Sequence, residues 1–185
     1  RSILNNEKKT GISFMKINEK LDSGPVCNKY SIDILDQDNA ETLSEKLSNL
    51  SANKISENIK KILSDQATFE DQDDKLATYA KKINKDEGQI NWKEDANLIL
   101  AKINGLYPQP GGWFKYKNNR YKILKAKLSE DTKEPGEIIG NDLTISCGNN
   151  SIKVIKIQRE GKKPQFTEDF VLGSSLKKGV IINND

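Results

Sequence analysis

The 185-residue sequence contains no histidine, only two cysteines, one methionine and two tryptophans, and aromatic residues make up 6% of it. Without histidine the chain supplies no imidazole of its own for proton transfer near neutral pH. Cys27 and Cys147 stand far apart and form no Cys-x-x-Cys pair, which argues against a redox centre or a cysteine-based zinc site, so no metal is expected. No apolar run approaches the roughly 20 residues of a membrane span. The opening Arg1-Ser-Ile-Leu-Asn-Asn-Glu also lacks the apolar stretch of a signal peptide. These absences predict a soluble, cytoplasmic protein with no membrane role. No segment points to a protein partner, and a monomer is expected.

What is present divides unevenly along the chain. Hydrophobic residues make up 35% and charged residues 31%, a composition low in apolar side chains for one large core but well above a disordered one. Two modest cores joined by a polar linker are expected. Residues 1–88 carry 14 basic and 16 acidic side chains, and residues 89–185 carry 16 and 11. The positive excess therefore lies wholly in the second half, which points to an anionic partner there.

From Thr10 to Val26 the pattern is that of a strand, a turn and a second strand. Ile12 and Phe14 alternate with Ser13 and Met15, Asn18-Glu-Lys breaks the alternation, and Leu21-Asp-Ser-Gly-Pro makes the turn. Gly24 tolerates positive φ and Pro25 fixes its own. Asp22 is thereby set at a loop tip beside a sheet edge, where it serves either as a catalytic carboxylate or simply as a cap for its own turn. Val26 to Ile34 completes the hairpin, with Tyr30, Ile32 and Ile34 on one face.

Asp38 followed by Glu41 has the form of a capping box. A helix is expected from about Asn39 to Ser64, burying Leu43, Leu47 and Leu50 and then a phase-shifted stripe of Ile55, Ile59, Ile62 and Leu63, as one bent helix or two short ones. Residues 67–88 lose the periodicity and read as the linker, with Lys81, Lys82 and Lys85 available to an RNA backbone or merely solvated. Asp95 to Ile103 is a short helix stopped by Gly105.

After that helix the period changes to two. Strands are expected at Trp113-Phe-Lys-Tyr-Lys, at Arg120-Tyr-Lys-Ile-Leu-Lys-Ala beyond an Asn118-Asn119 turn, at Gly136-Glu-Ile-Ile, at Leu143-Thr-Ile-Ser-Cys and at Ile152-Lys-Val-Ile-Lys-Ile. Five short strands suggest a small oligonucleotide-binding-like barrel, with Phe166 and Phe170 packing back on it. Between Trp113 and Lys127 there are six basic residues and no acid. Lys115 and Lys117 share one strand face, as do Arg120 and Lys122, so the four are candidates for a phosphate-tracking patch or for a solvated outer face.

Thr10-Gly-Ile-Ser-Phe, the Leu21-Asp-Ser-Gly turn, Thr78-Tyr-Ala-Lys-Lys-Ile-Asn-Lys-Asp-Glu-Gly-Gln-Ile-Asn-Trp92, Tyr107-Pro-Gln-Pro-Gly-Gly-Trp-Phe and the Gly161-Lys-Lys ending occur in one order along nearly the whole chain. Together they resemble the folate-dependent formyltransferases. The resemblance implies an α/β remnant of a Rossmann-like catalytic domain over residues 1–66, the linker over 67–88, and an all-β tRNA-binding barrel over 89–185. It implies transfer of a formyl group from 10-formyltetrahydrofolate to the amino group of initiator methionyl-tRNA, without a metal. Asp22 would be the catalytic aspartate, with Leu21, Ser23 and Gly24 shaping the folate side. The Asn and His that accompany this aspartate in the family precede the Thr-Gly strand, so the chain reads as a C-terminal portion, inactive by itself. A sugar-amine formyltransferase and a non-catalytic nucleic-acid-binding barrel are the alternatives.

Overall fold

In the computed structural model residues 1–183 are described, and they divide into one unit of Glu7–Lys82 and another in which Arg1–Asn6 joins the chain from Ile83 onward. Among the described residues no helix is long and apolar enough to cross a membrane.

In the first unit β1 (Lys9–Met15) and β2 (Val26–Asp33) form an antiparallel hairpin in which Ile12 pairs with Tyr30 and Phe14 with Asn28. The alternation seen in the sequence puts Ile12, Phe14, Tyr30 and Ile32 on its more buried face, where the Phe14 and Tyr30 rings meet edge-on at 6.0 Å. After the hairpin, α1 runs without interruption from Ala40 to Leu63.

The helix start differs from the sequence reading by one residue. Asn39 is the N-cap, its side chain accepting from the amides of Glu41 and Thr42 while Thr42 Oγ1 accepts from the Asn39 amide. Asp38 instead turns inward, 3% exposed, and accepts from the Leu35 amide at 2.9 Å and from Lys46 Nζ at 2.6 and 2.7 Å. Burial alone would raise its pKa, but the bonds from Lys46 and Leu35 outweigh that and hold it below the usual carboxylate value.

The second apolar stripe of α1 is not core, contrary to expectation. Ile55 and Ile59 are each 46% exposed and Leu63 79%. The helix is rotated by Asn58, which is 1% exposed: Asn28 Nδ2 donates to its Oδ1 at 2.5 Å, and its own amide donates to Tyr30 Oη at 3.1 Å and to the Lys54 carbonyl at 2.8 Å. A buried amide must find such partners, and satisfying it turns Ile55 and Ile59 outward.

In the second unit Asp95 caps α2 (Ala96–Gly105), and Ala96, Ile99, Ala101 and Ile103 are buried. Gly105 lies inside the helix rather than past its end. A Cβ there would lie 2.9 Å from Leu4 Cγ, so glycine is required by the close approach of Leu4. The strands β3 (Gly112–Tyr116), β4 (Asn119–Ser129), β5 (Thr144–Ser146), β6 (Ser151–Arg159) and β7 (Gln165–Phe166) form an antiparallel sheet in the order β3-β4-β6-β5, with β7 also pairing with β6. The last helix, α3, spans Thr167–Gly173. One continuous core runs through this unit, from Ile90 and Trp92 through Ile99, Phe114, Ile123, Ile145 and Ile157 to Ile182.

Two expectations for the sheet change. Gly136–Ile139 is not a strand: Gly136 sits at φ +89, and Glu137 and Ile138 make only single bridges, to Ile181 and Ile145. The fifth strand is β7. Phe170 is buried as expected, at 7% exposure, but Phe166 at the end of β7 is 56% exposed, with Lys156 Nζ 5.4 Å from its ring centre.

Candidate functional site

The hairpin loop of the first unit carries Asp22. The Lys16 amide donates to the Pro25 carbonyl at 2.9 Å and closes the neck of the loop. Inside it, Asn18 Oδ1 accepts from the Lys20 amide at 3.1 Å and from Ser23 Oγ at 3.0 Å. Asp22 adopts φ +53, a left-handed conformation that Asp tolerates better than most residues. Gly24 is buried, and a Cβ there would lie 1.8 Å from the Lys16 carbonyl oxygen, so only glycine fits.

The loop is fastened from 50 residues away in sequence. Gln72 Nε2 donates to the Asp22 carbonyl at 2.9 Å and to the Gly24 carbonyl at 2.7 Å. With Asn18, Ser23 and Gln72 satisfying the loop, the Asp22 carboxylate has no hydrogen-bond or ion-pair partner among the described residues and faces solvent. Leu21 beside it is 91% exposed. Leu21, Asp22, Ser23 and Gly24 thus form one loop whose acid is held open rather than used to cap its own turn. Gln72 lies in the acidic stretch after Phe69, where neither spacing nor composition marks it.

The second unit holds five of the seven basic candidates. The β3–β4 register pairs Trp113 with Lys122 and Lys115 with Arg120, which puts these four on one face of the ladder. The Arg120 guanidinium lies 4.1 Å over the Trp113 ring, and Trp113 Nε1–H donates to the Lys85 carbonyl at 3.4 Å. Lys122 Nζ donates to the Pro108 carbonyl at 3.2 Å, its stem crossing Gly111, where a Cβ would lie 2.7 Å from Lys122 Cδ. These contacts shape a cavity of about 310 Å³ lined by Lys85, Arg120 and Lys122 with Gln109, Pro110, Gln158 and Glu160.

The electrostatics of this cavity are unbalanced. Burial, and then the charge of Arg120, lower the Lys122 pKa from its usual value. Arg120 Nε is shielded from solvent and has no acceptor, an omission that ordinarily costs about 1–3 kcal/mol. None of Lys85, Arg120 and Lys122 forms an ion pair among the described residues.

The other basic candidates lie elsewhere. The hairpin turn is Lys117-Asn118, at φ +47 and +61, because a two-residue turn that follows the strand twist needs positive φ at both central positions. Asn119 pairs with Tyr116 instead. Lys117 is therefore in the turn rather than beside Lys115 on a strand face, with its Nζ 5.4 Å from the Tyr116 ring centre. Lys115 is exposed, as are Lys81 and Lys82, which belong to the first unit. Tyr121 is buried and stacks on Phe114 at 5.4 Å. Gln109, Pro110, Gln158 and Glu160 were not foreseen, although Gln109 and Pro110 lie within the Tyr107-Pro-Gln-Pro-Gly-Gly motif. Among the described residues no group of three or more His, Cys, Asp or Glu side chains could hold a metal ion.

Residues 82–175, which include α2, the whole sheet and α3, match the family described as formyl transferase, C-terminal domain, and the chain belongs to that family. Along its whole length it is similar to a methionyl-tRNA formyltransferase of Pelagibacter ubique, with 60% identity over 185 residues, covering 60% of that protein. A methionyl-tRNA formyltransferase of Caldanaerobacter subterraneus is 37% identical over 98% of the chain, again over 60% of the relative. The chain thus spans about 60% of the length of these relatives. Among solved structures, HypX from Aquifex aeolicus in complex with tetrahydrofolic acid shares the fold, with a TM-score of 0.70 at 16% identity over 93% of this chain and 31% of that one.

Proposed function

We propose that this chain, together with the remaining length its relatives have, formylates the amino group of initiator methionyl-tRNA, with 10-formyltetrahydrofolate as the formyl donor. The observation that carries the reading is the 60% identity to a protein of that name along all 185 residues, and the Asp22 loop supplies the geometry. The β1–β2 hairpin and α1 are read as the end of a Rossmann-like catalytic domain over residues 1–66. Residues 67–88 are the linker, and the antiparallel sheet is an oligonucleotide-binding-like barrel over 89–185. The protein is read as a monomeric cytoplasmic enzyme without a metal.

In the reaction the amine nitrogen attacks the formyl carbon, the carbonyl oxygen takes up negative charge, and the folate nitrogen leaves with a proton. An exposed carboxylate on a loop fixed by Gln72 suits one part of that sequence. Asp22 accepts a hydrogen bond from an imidazole, holds its tautomer and stabilises its charge as the proton passes to the leaving nitrogen. The chain contains no histidine, so the imidazole comes from a residue outside it. Leu21 and the backbone of Ser23 and Gly24 border the folate. Lys81, Lys82, Lys85, Lys115, Lys117, Arg120 and Lys122 are the candidates for tRNA contact.

The test replaces the aligned segment of the Pelagibacter ubique relative with this chain and measures formylation of methionyl-tRNA. The chimera is expected to be active, and Asp22→Asn in it to lower kcat by roughly 10²-fold or more, the scale of a lost acid–base partner. An inert chimera, or an unimpaired Asp22→Asn variant, overturns the reading.

A further inference from the structure

Of the seven basic residues just named, three line one cavity; Lys85 is exposed like the other lysines, but Arg120 and Lys122 are half-buried. Lys115 and Lys117 are exposed, whereas Arg120 is clamped flat on Trp113 and the Lys122 stem is wedged across Gly111. A row of surface lysines kept for solubility needs neither arrangement. Fixing two like charges side by side works against folding unless something negative compensates them. The acid that lines the cavity, Glu160, makes no ion pair with them; its backbone amide donates to the Arg120 carbonyl at 2.9 Å. Arg120 Nε is left without an acceptor.

From these observations we infer that the cavity bounded by Lys85, Arg120 and Lys122 is a seat for one phosphate group, and that its occupant is a backbone phosphate of RNA. A planar guanidinium already immobilised on an aromatic ring loses little freedom when it pairs with phosphate oxygens, and a lysine beside it adds a point charge. Gln109 offers an amide donor on the same wall, while the Gln158 amide there already donates to the Lys162 carbonyl at 2.8 Å. RNA is favoured over a free anion by the ladder itself. Lys115 lies opposite Arg120 on the face that also carries Lys122, so a line of positive charge leads away from the seat, as a chain of phosphates requires and a single ion does not. The inference rests on the tRNA reading above and sharpens it: one phosphate is gripped, and the remaining contacts are loose.

The experiment uses the full chain and binding alone, so it stands apart from the formylation assay. Trp113 is the reporter, because its indole N–H lies between Arg120 and the Lys85 carbonyl, and Trp92 in the core is the internal control. Adding tRNA, or inorganic phosphate in the millimolar range, should shift the Trp113 indole resonance saturably and leave Trp92 in place, while chloride at equal ionic strength does neither. Arg120→Gln with Lys122→Gln should then weaken tRNA binding about tenfold and flatten the log-log salt slope by roughly 0.7 to 0.9, the loss of one phosphate contact. Lys115→Gln with Lys117→Gln, the same loss of charge on the same hairpin, should change both far less. Equal losses in the two double variants would mean a diffuse patch and overturn the seat, as would a Trp113 signal that ignores phosphate. A Trp113 shift with phosphate combined with unchanged tRNA binding in the Arg120/Lys122 variant would assign the seat to a free phosphate and overturn RNA. An inactive formylation chimera leaves each of these readouts intact.

Discussion

The two units of this chain solve the burial problem differently. From Ile90 to Ile182 the second unit interlocks apolar side chains from its strands and helices into one core, with Trp92, Ile99, Ile145, Ile152 and Ile157 fully enclosed. In Glu7–Lys82 the buried hydrophobic residues among those described are Val26 and Leu43, and the other enclosed side chains are Asp38 and Asn58. Its helix is oriented by hydrogen bonds, Asp38 with Lys46 and Asn58 with Asn28 and Tyr30. Apolar burial yields stability in proportion to area and is indifferent to direction, whereas each hydrogen bond contributes little net but fixes an angle. The first unit is accordingly well directed and thinly supported.

The largest expected effect tests the apolar half of that contrast. Trp92→Ala removes the largest fully buried side chain and should cost about 3–5 kcal/mol. Urea unfolding would measure the loss, and hydrogen exchange should show β3, β4 and β6 losing protection while the α1 amides change little. Equal loss in α1 would break the contrast.

The polar half is tested by Asp38→Ala. The Leu35 amide loses its acceptor and Lys46 its carboxylate, at an expected cost of about 1–3 kcal/mol, read as faster exchange in the first turns of α1. A variant as stable as the parent would mean that the helix is held by its apolar contacts after all.

A smaller effect belongs to Glu87, whose carboxylate accepts from Arg1 at 2.5 and 3.1 Å and from the Asn84 amide at 2.7 Å. The bonds from Arg1 and then Asn84 lower its pKa from 4.5 to about 2. Because the folded value is the lower one, the contribution is complete above pH 4.5 and fades as the pH falls toward 2. The stability difference between the parent and Glu87→Gln should narrow over that window, and a difference constant from pH 6 to pH 2 would contradict it. The smallest change is expected for Ile59→Ser on the exposed face of α1, within about 0.5 kcal/mol. A clear loss of stability would show that this face is covered in solution.

Where backbone geometry follows from side-chain alternation, the sequence was enough. The β1–β2 hairpin, the helix closing near Ser64 and the β3–β4 pair all follow from the spacing of residues such as Ile12, Phe14, Leu43, Phe114 and Tyr121, although the spacing left one bent helix and two short ones equally open where α1 is continuous. The misses have specific causes. Asn118-Asn119 looks like a turn because Asn tolerates positive φ, yet the register gives the turn to Lys117-Asn118, and pairing between strands outranked local preference. Gly105 reads as a helix stop but is explained by Leu4, about a hundred residues earlier in the chain. The Ile55 and Ile59 stripe has the period of a core face, and one buried Asn58 turned it outward. At the sites, the Leu-Asp-Ser-Gly turn was visible because turn chemistry is local. Gln72 and the Gln109, Gln158 and Glu160 wall were not, since only folding brings them near their partners.

The central position of β6 also has a consequence for synthesis. This strand pairs with β4, β5 and β7, yet it is made about 30 residues after β4 begins to need it. At about 5–20 residues per second on the ribosome, β4 waits roughly two to six seconds with one edge open. Lys125 and Lys127 are exposed along that strand, and the register shifts between Ile123 and Ala126 interrupt its regularity. Both are features that discourage an unpaired edge from joining a neighbouring nascent chain. The exposed lysines and the irregular register thus fall on the strand whose edge stays open longest during synthesis.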